Sequence, residues 1–234
     1  MRYIGFDMGD GESAVAILEH GSGIEPIVQE LCGSRSVLSA VGRLNGEIVI
    51  GEQAYTASLA DDLAVRFKSR FTYDAASYET VSLFVRGVLK ALRDSGTLYA
   101  DDSFVVGCPA GWNAACRARY QSILSKAGIQ RLQVISESRA AFLYAKYAKT
   151  VALDIDVIRQ SALVIDIGSS TLDFAYIVNG RETGVGTFGD IALGGGLLDA
   201  ELLRLAVAGN RQRKEIESVF AQSRSWYSYC EIEA

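Results

Sequence analysis

A chain of 234 residues with 49% apolar and 22% charged residues has the length for one or two domains and a substantial core. A formal charge of −5 leaves no basic footprint, and no apolar run reaches membrane-spanning length, so neither nucleic acid nor a membrane is expected as a partner. Two prolines argue against long disordered linkers, and four scattered cysteines (Cys32, Cys108, Cys116 and Cys230) without paired metal spacing read as core thiols of a cytoplasmic protein.

The chain enters its first strand at once, with no secretory leader expected. Arg2 to Leu18 reads RYIGFDMGDGESAVAIL: an apolar strand ending in Asp7-Met8-Gly9, a small polar turn, and a second apolar strand. His20, the single histidine, follows that strand, so a Ser–His–Asp or histidine–metal mechanism is not expected. Glu25 to Glu30 supplies a third strand, and Gly33 to Gly46 is turn-rich. A short strand at Glu47 to Ile50 and a short helix at Glu52 to Ala60 follow. Arg66-Phe67-Lys68-Ser69-Arg70 is the one concentrated basic cluster, which composition alone leaves open between solvated surface and site.

Ser77 to Asp94 carries Val81, Phe84, Val85, Val88 and Leu92 at helical spacing and stops at Gly96. Ser103 to Cys108 is a buried strand closed by Pro109-Ala110-Gly111. Asn113 caps the next helix, which turns Cys116, Tyr120, Ile123 and Leu124 inward and ends at Gly128. After a strand at Leu132 to Ile135, Ser136 caps a third helix from Glu137 to about Lys149, with Ala140, Ala141, Leu143, Tyr144 and Ala148 as its packing face. Val151 to Arg159 is a connector.

Ala162 to Val178 then repeats the opening: an apolar strand into Asp166, a turn Gly168-Ser169-Ser170-Thr171, and a strand from Leu172. Ile4-Gly5-Phe6-Asp7-Met8-Gly9 lines up with Leu163-Val164-Ile165-Asp166-Ile167-Gly168. One such hairpin can simply cap its own turn with its Asp. Two of them facing each other across a cleft grip a metal–phosphate group from both sides, through backbone amides, hydroxyls and carboxylates. Beyond lie a strand at Thr183 to Phe188, a glycine run Gly194-Gly195-Gly196, a helix from about Leu197 to Ala208, and a polar helix from Gln212. The chain is therefore an α/β protein built as a two-fold repeat whose second copy stops early.

The motifs are recognisable. FDMGDGES, VIDIGSSTLDFAYI, VVGCPAGWNAACRARYQSILSKAGI, VISESRAAFLYAK and GDIALGGGLLDAELL resemble, in order, five segments of the actin-like ATPase superfamily, and within it of the seventy-kilodalton heat-shock chaperones. The resemblance implies the actin-like fold, with duplicated ribonuclease H-like β-β-β-α-β-α-β-α units and the second unit truncated. It implies a first lobe at 1–150 (core 1–33 and 97–150, with an inserted subdomain at about 34–96) and the start of a second lobe at 160–234. It implies ATP and Mg²⁺ as cofactors, with phosphoryl transfer to water in the cleft. Asp7 and Asp166 would face the Mg²⁺ water shell, Glu137 and Asp166 would serve catalysis, and Lys68, in RFKSRF, would offset charge on the phosphoryl group. Gly9, Asp10 and Gly11 of the first turn would lie at the phosphates, as would Gly168, Ser169, Ser170 and Thr171 of the second, and Gly194 and Gly195.

The chain departs from the family at Asp10 and Glu12, carboxylates in a loop that elsewhere bears hydroxyls. At about 4 Å and an effective dielectric of about 20, one like-charge contact costs about 4 kcal/mol. Those side chains turn away, or a metal bridges them, or nucleotide binds weakly. Ser169-Ser170 stand for two glycines, and Ser138 for a proline. The C-terminal WYSYCEIEA resembles the start of a family segment and the adenosine-binding glycine segment has no counterpart, which implies a piece of a longer protein, inactive alone and prone to self-association. Client polypeptides and co-chaperones would then bind through regions outside it. A plasmid-segregation or cytoskeletal filament ATPase, a sugar or carboxylate kinase, and a degenerate scaffold without catalysis are the competing functions.

Overall fold

The first hairpin pairs β1 (Arg2–Met8) with β2 (Glu12–Glu19) antiparallel, Asp7 opposite Ala14 and Met8 opposite Ser13. Ile4, Phe6 and Met8 alternate inward and anchor the main core. In this computed structural model residues 1–21, 25–57, 62–148, 161–184, 187–190, 193–223 and Cys230 are described. β3 (Ile27–Gln29) and β4 (Val37–Leu38) both pair with β2, while β8 (Ser103–Cys108) lies parallel to β1 and β9 (Leu132–Ser136) parallel to β8. The first sheet therefore runs β3-β2-β1-β8-β9.

Two helices cover one face of it. In α2 (Ala76–Asp94), Val81, Phe84, Val85, Val88, Leu89 and Leu92 are buried, a stripe of three- and four-residue steps. In α3 (Ala114–Ala127), Tyr120 and Leu124 are buried, and the Asn113 side chain caps the helix by accepting from the Cys116 amide at 2.9 Å. A small sheet β6-β5-β7, from β5 (Ala40–Leu44), β6 (Glu47–Ile50) and β7 (Ala64–Val65), with α1 (Glu52–Ala57), forms a second cluster around Ala40, Val49, Ala54, Leu63 and Val65.

α4 (Glu137–Tyr147) packs against β8 and β9 of the first sheet and against β10 (Ser161–Ile167) and β11 (Leu172–Val178) of the next. It is the element that joins the two sheets. Its buried positions are Ser138 and Phe142, so the stripe is rotated in part from the expected face: Ala148, just past the helix, is buried and Ala140 and Leu143 are half-buried, but Ala141 and Tyr144 point outward. The second sheet pairs β10 with β11, Asp166 opposite Asp173, and β11 also pairs β12 (Arg181–Glu182) and β13 (Phe188–Asp190). α5 (Gly195–Ala208) and α6 (Arg213–Gln222) pack on each other.

Three readings are corrected. The turn-rich stretch 33–46 contains β4 and β5, and of the expected strand at 183–188, Thr183, Gly184 and Thr187 lie outside the strands, which are β12 before them and β13 from Phe188, while 185–186 lie outside the described residues. Both errors overlook an Asn-Gly turn: Asn45-Gly46 and Asn179-Gly180 all have positive φ, which closes tight hairpins onto Leu44 and Val178. The cysteines are free but not all core thiols, since Cys32 is exposed. The connector at 151–159 and residues 58–60 of the first helix reading lie outside the described residues.

Candidate functional site

Two turns of the same construction meet here. Gly9 N–H donates to the Glu12 carbonyl at 3.1 Å, and Gly168 N–H to the Thr171 carbonyl at 2.9 Å. The Cβ of any larger residue at position 9 would come to 2.4 Å from that Glu12 oxygen, so the tightness of the turn requires glycine. Across the gap, a Cβ at Gly11 would lie 3.3 Å from Ser169 Oγ, and Ser170 Oγ donates to the Asp10 carboxylate. The glycine run sits against the second turn: Gly195 N–H donates to the Gly168 carbonyl at 3.1 Å, and Gly196 N–H to that of Ser169.

Lys68 comes from the first unit. Its neighbours Phe67 and Phe71 are buried, Phe67 against Phe84 and Phe71 among Tyr78, Trp112 and Tyr120. These rings pin the segment from both sides of Lys68, and a 3₁₀ turn at Ser69–Thr72 follows it. The side chain is buried, which removes the solvated-surface reading, and its ammonium forms an ion pair with Glu137. Glu137 opens α4 just after the Ser136 cap, and Gly107 on β8 makes its room: a Cβ there would lie 2.9 Å from Glu137 Cγ.

The charges form one set. Burial disfavours the charged Lys68, but Glu137, Tyr120 and Asp7 outweigh it and raise its pKa above the ordinary lysine value. Burial raises the Glu137 carboxyl, Lys68 opposing and Asp7 and Asp166 adding. Burial, then Asp173 and Asp7, raise Asp166, again with Lys68 opposing. Asp7 and Asp166, far apart in sequence, thus act on the same lysine and on each other. Cys108, also nearby, is pushed up to about 11, chiefly by burial, and stays a thiol rather than a nucleophile at neutral pH.

Asp10 and Glu12 part company. Asp10 is buried and accepts from the Lys68 amide at 2.8 Å and the Ser69 amide at 3.0 Å, while Glu12 turns outward to accept from Ser36 Oγ at 2.8 Å. Glu12 thus turns away from the gap, whereas Asp10 faces across it to Ser170.

Some participants were not singled out beforehand. Asp173 is buried, accepts from Thr171 Oγ1 at 2.7 Å and reaches across to the Gly111 amide at 3.2 Å. Counting outward from both ends of the Gly-Ser-Ser-Thr turn would have placed it opposite Asp166. Arg66 donates to the Gly196 carbonyl at 2.7 Å and to Asp199 at 3.1 Å, a second tie between the units. The Tyr120 hydroxyl is buried with no hydrogen-bond partner among the described residues, and burial raises its phenol pKa well above the usual range. No sequence signal marked Arg66 or Tyr120 apart from their neighbours.

Residues 75–225, more than half of the chain, match the family described as Hsp70 protein. The chain belongs to the Hsp70 protein family. Its fold is also similar to that of MreB5 of Spiroplasma citri, solved bound to ADP, with a TM-score of 0.63 and 17% identity over 89% of this chain and 57% of that one. That likeness shows an actin-like fold, of which this chain spans little more than half the length of MreB5. Within this Hsp70-family chain, Glu137, Asp166, the 168–171 turn and the glycine run fall inside the family match. Asp7, the first turn and Lys68 precede it. No helix among the described residues is long and apolar enough to cross a membrane.

Proposed function

We propose that this chain is the nucleotide-binding part of an Hsp70-type ATPase, with lobes at 1–150 and from 160 onward and with ATP hydrolysed between them. The observation that carries the reading is Lys68, buried at the meeting of two duplicated turns with Asp7, Glu137 and Asp166 acting on it. A buried ammonium so placed offsets charge on a phosphoryl group in transfer. Glu137, held by the Ser136 cap and by the room at Gly107, orients the attacking water and accepts its proton. Gly168, Ser169, Ser170, Thr171, Gly194 and Gly195 offer backbone approach and hydroxyls to the phosphates, with Gly9, Asp10 and Gly11 on the opposite side.

The donor set fits a divalent cation held through water. Burial and mutual repulsion raise Glu137 and Asp166, which a positive charge beside Asp7 and Asp166 would relieve. Mg²⁺ held there through water by Asp7 and Asp166 would supply positive charge to offset the charge developing on the phosphoryl group.

A nucleotide-governed, self-associating protein is the second reading, favoured by the exposed Leu163, Ile165 and Ile167 on β10. Calorimetric titration with ATP and ADP, with and without Mg²⁺, tests the proposal. Mg²⁺-dependent binding with slow phosphate release is expected, and no heat with either nucleotide overturns it. Light scattering that rises with concentration only on adding MgATP favours the second reading.

A further inference from the structure

We propose that Asp10 is an intramolecular latch that holds the two turns shut against the entry of a nucleotide phosphate. The inference rests on the nucleotide reading but concerns this chain's own side chains. Asp10 spends its carboxylate on three protein donors: the Lys68 amide, the Ser69 amide and, from the other unit, Ser170 Oγ. The two turns are drawn together as a result, so closely that a Cβ at Gly11 would come 3.3 Å from Ser169 Oγ. A phosphate entering between them must part the turns, break the Ser170–Asp10 bond and meet a carboxylate of its own sign.

A second clasp acts alongside the first. Arg66, two residues before Lys68, holds Gly196 and Asp199 of α5, and the fit is close enough that a Cβ at Gly196 would fall 2.5 Å from an Arg66 nitrogen. The Gly111 amide crosses to Asp173 on the far side. The strip 66–69 is thus tied to the second unit directly through Arg66, and through Asp10 to Ser170 at its other end. Opening costs the Asp10 bond, so only an unlatched fraction is competent to bind, and apparent affinity falls by that fraction.

Ser170→Ala and Asp10→Asn test the latch, the first without disturbing the Asp10 bonds to Lys68 and Ser69. If one molecule in about ten is unlatched, Ser170→Ala tightens the MgATP dissociation constant by up to about ten-fold, and Asp10→Asn tightens it in the same direction. A merely structural defect would weaken binding. Amide hydrogen exchange without nucleotide reads the latch directly: Gly111 should exchange faster in both variants, and Lys68 and Ser69 faster in Asp10→Asn alone. MgATP affinity unchanged or weakened in both folded variants overturns the proposal, because the Ser170–Asp10 bond would then not oppose entry of the phosphate. If neither wild type nor variants bind MgATP, the nucleotide reading falls and the exchange data decide: unaltered Gly111 protection overturns the closing contact, and faster exchange upholds it.

Discussion

Lys68 is the residue on which the site turns, because burial alone would favour its neutral form and Glu137, Tyr120 and Asp7 together outweigh that tendency. Lys68→Ala in the most complete form of the protein should lower phosphate release about 10²–10³-fold at saturating MgATP, with a much smaller change in affinity. Unchanged turnover would return Lys68 to a purely structural ion pair. Asp166 makes the complementary case. Its pKa is raised, so its contribution to stability is complete below the unfolded value of about 4 and is lost as pH rises through the folded value. At neutral pH the ionised carboxylate therefore works against the fold. Asp166→Asn should melt higher than wild type at pH 7 without divalent cation, and the difference should vanish near pH 3. A lower melting temperature at pH 7 would show that Asp166 is needed as an anion in the free fold.

At the scale of elements, short segments place these groups. α4 joins the sheets and delivers Glu137 from its first turn, where β8 leaves room only because position 107 is glycine. Gly107→Ala would put a methyl 2.9 Å from Glu137 Cγ and 3.3 Å from its Oε1. Overpacking of that kind costs about 1–3 kcal/mol, so a matching loss in denaturant melts is expected, and the Lys68–Glu137 pair should be displaced. An unchanged midpoint would mean that Glu137 swings aside freely. Elements were legible in the sequence where one periodicity ran for several residues, as in α2, β8, β10 and β11. They were illegible where a turn carried the signal, and Asn45-Gly46 and Asn179-Gly180 explain both missed hairpins. The phase of α4 was missed for another reason: it lies between two sheets, and which of its faces is inward depends on both.

On the scale of the whole molecule, the two units repeat a pattern but not an environment. Ile4, Phe6 and Met8 are 0–2% exposed, whereas their counterparts Leu163, Ile165 and Ile167 are 53–78% exposed. β1 has β8 on its far side, while among the described residues the far edge of β10 is unpaired. Leu202 and Leu205 on α5 are also more than half exposed. Apolar surface so arranged drives association. Sedimentation velocity of this chain should show concentration-dependent self-association, and Leu163→Glu with Ile165→Glu should restore a monomer. A wild-type chain that sediments as a monomer at all concentrations would refute this. By itself the sequence determined the duplicated strand–Asp-x-Gly–turn–strand units, because these rest on local periodicity and spacing that neighbouring residues enforce, while the actin-like class and the candidate residues came from the resemblance of its motifs to a known family. Only the tertiary structure decided which charges share a site, that Asp10 faces Lys68, Ser69 and Ser170 while Glu12 faces Ser36, and that Arg66 and Asp173 tie the units together. Those outcomes depend on distances between groups up to 160 positions apart, which no local pattern encodes.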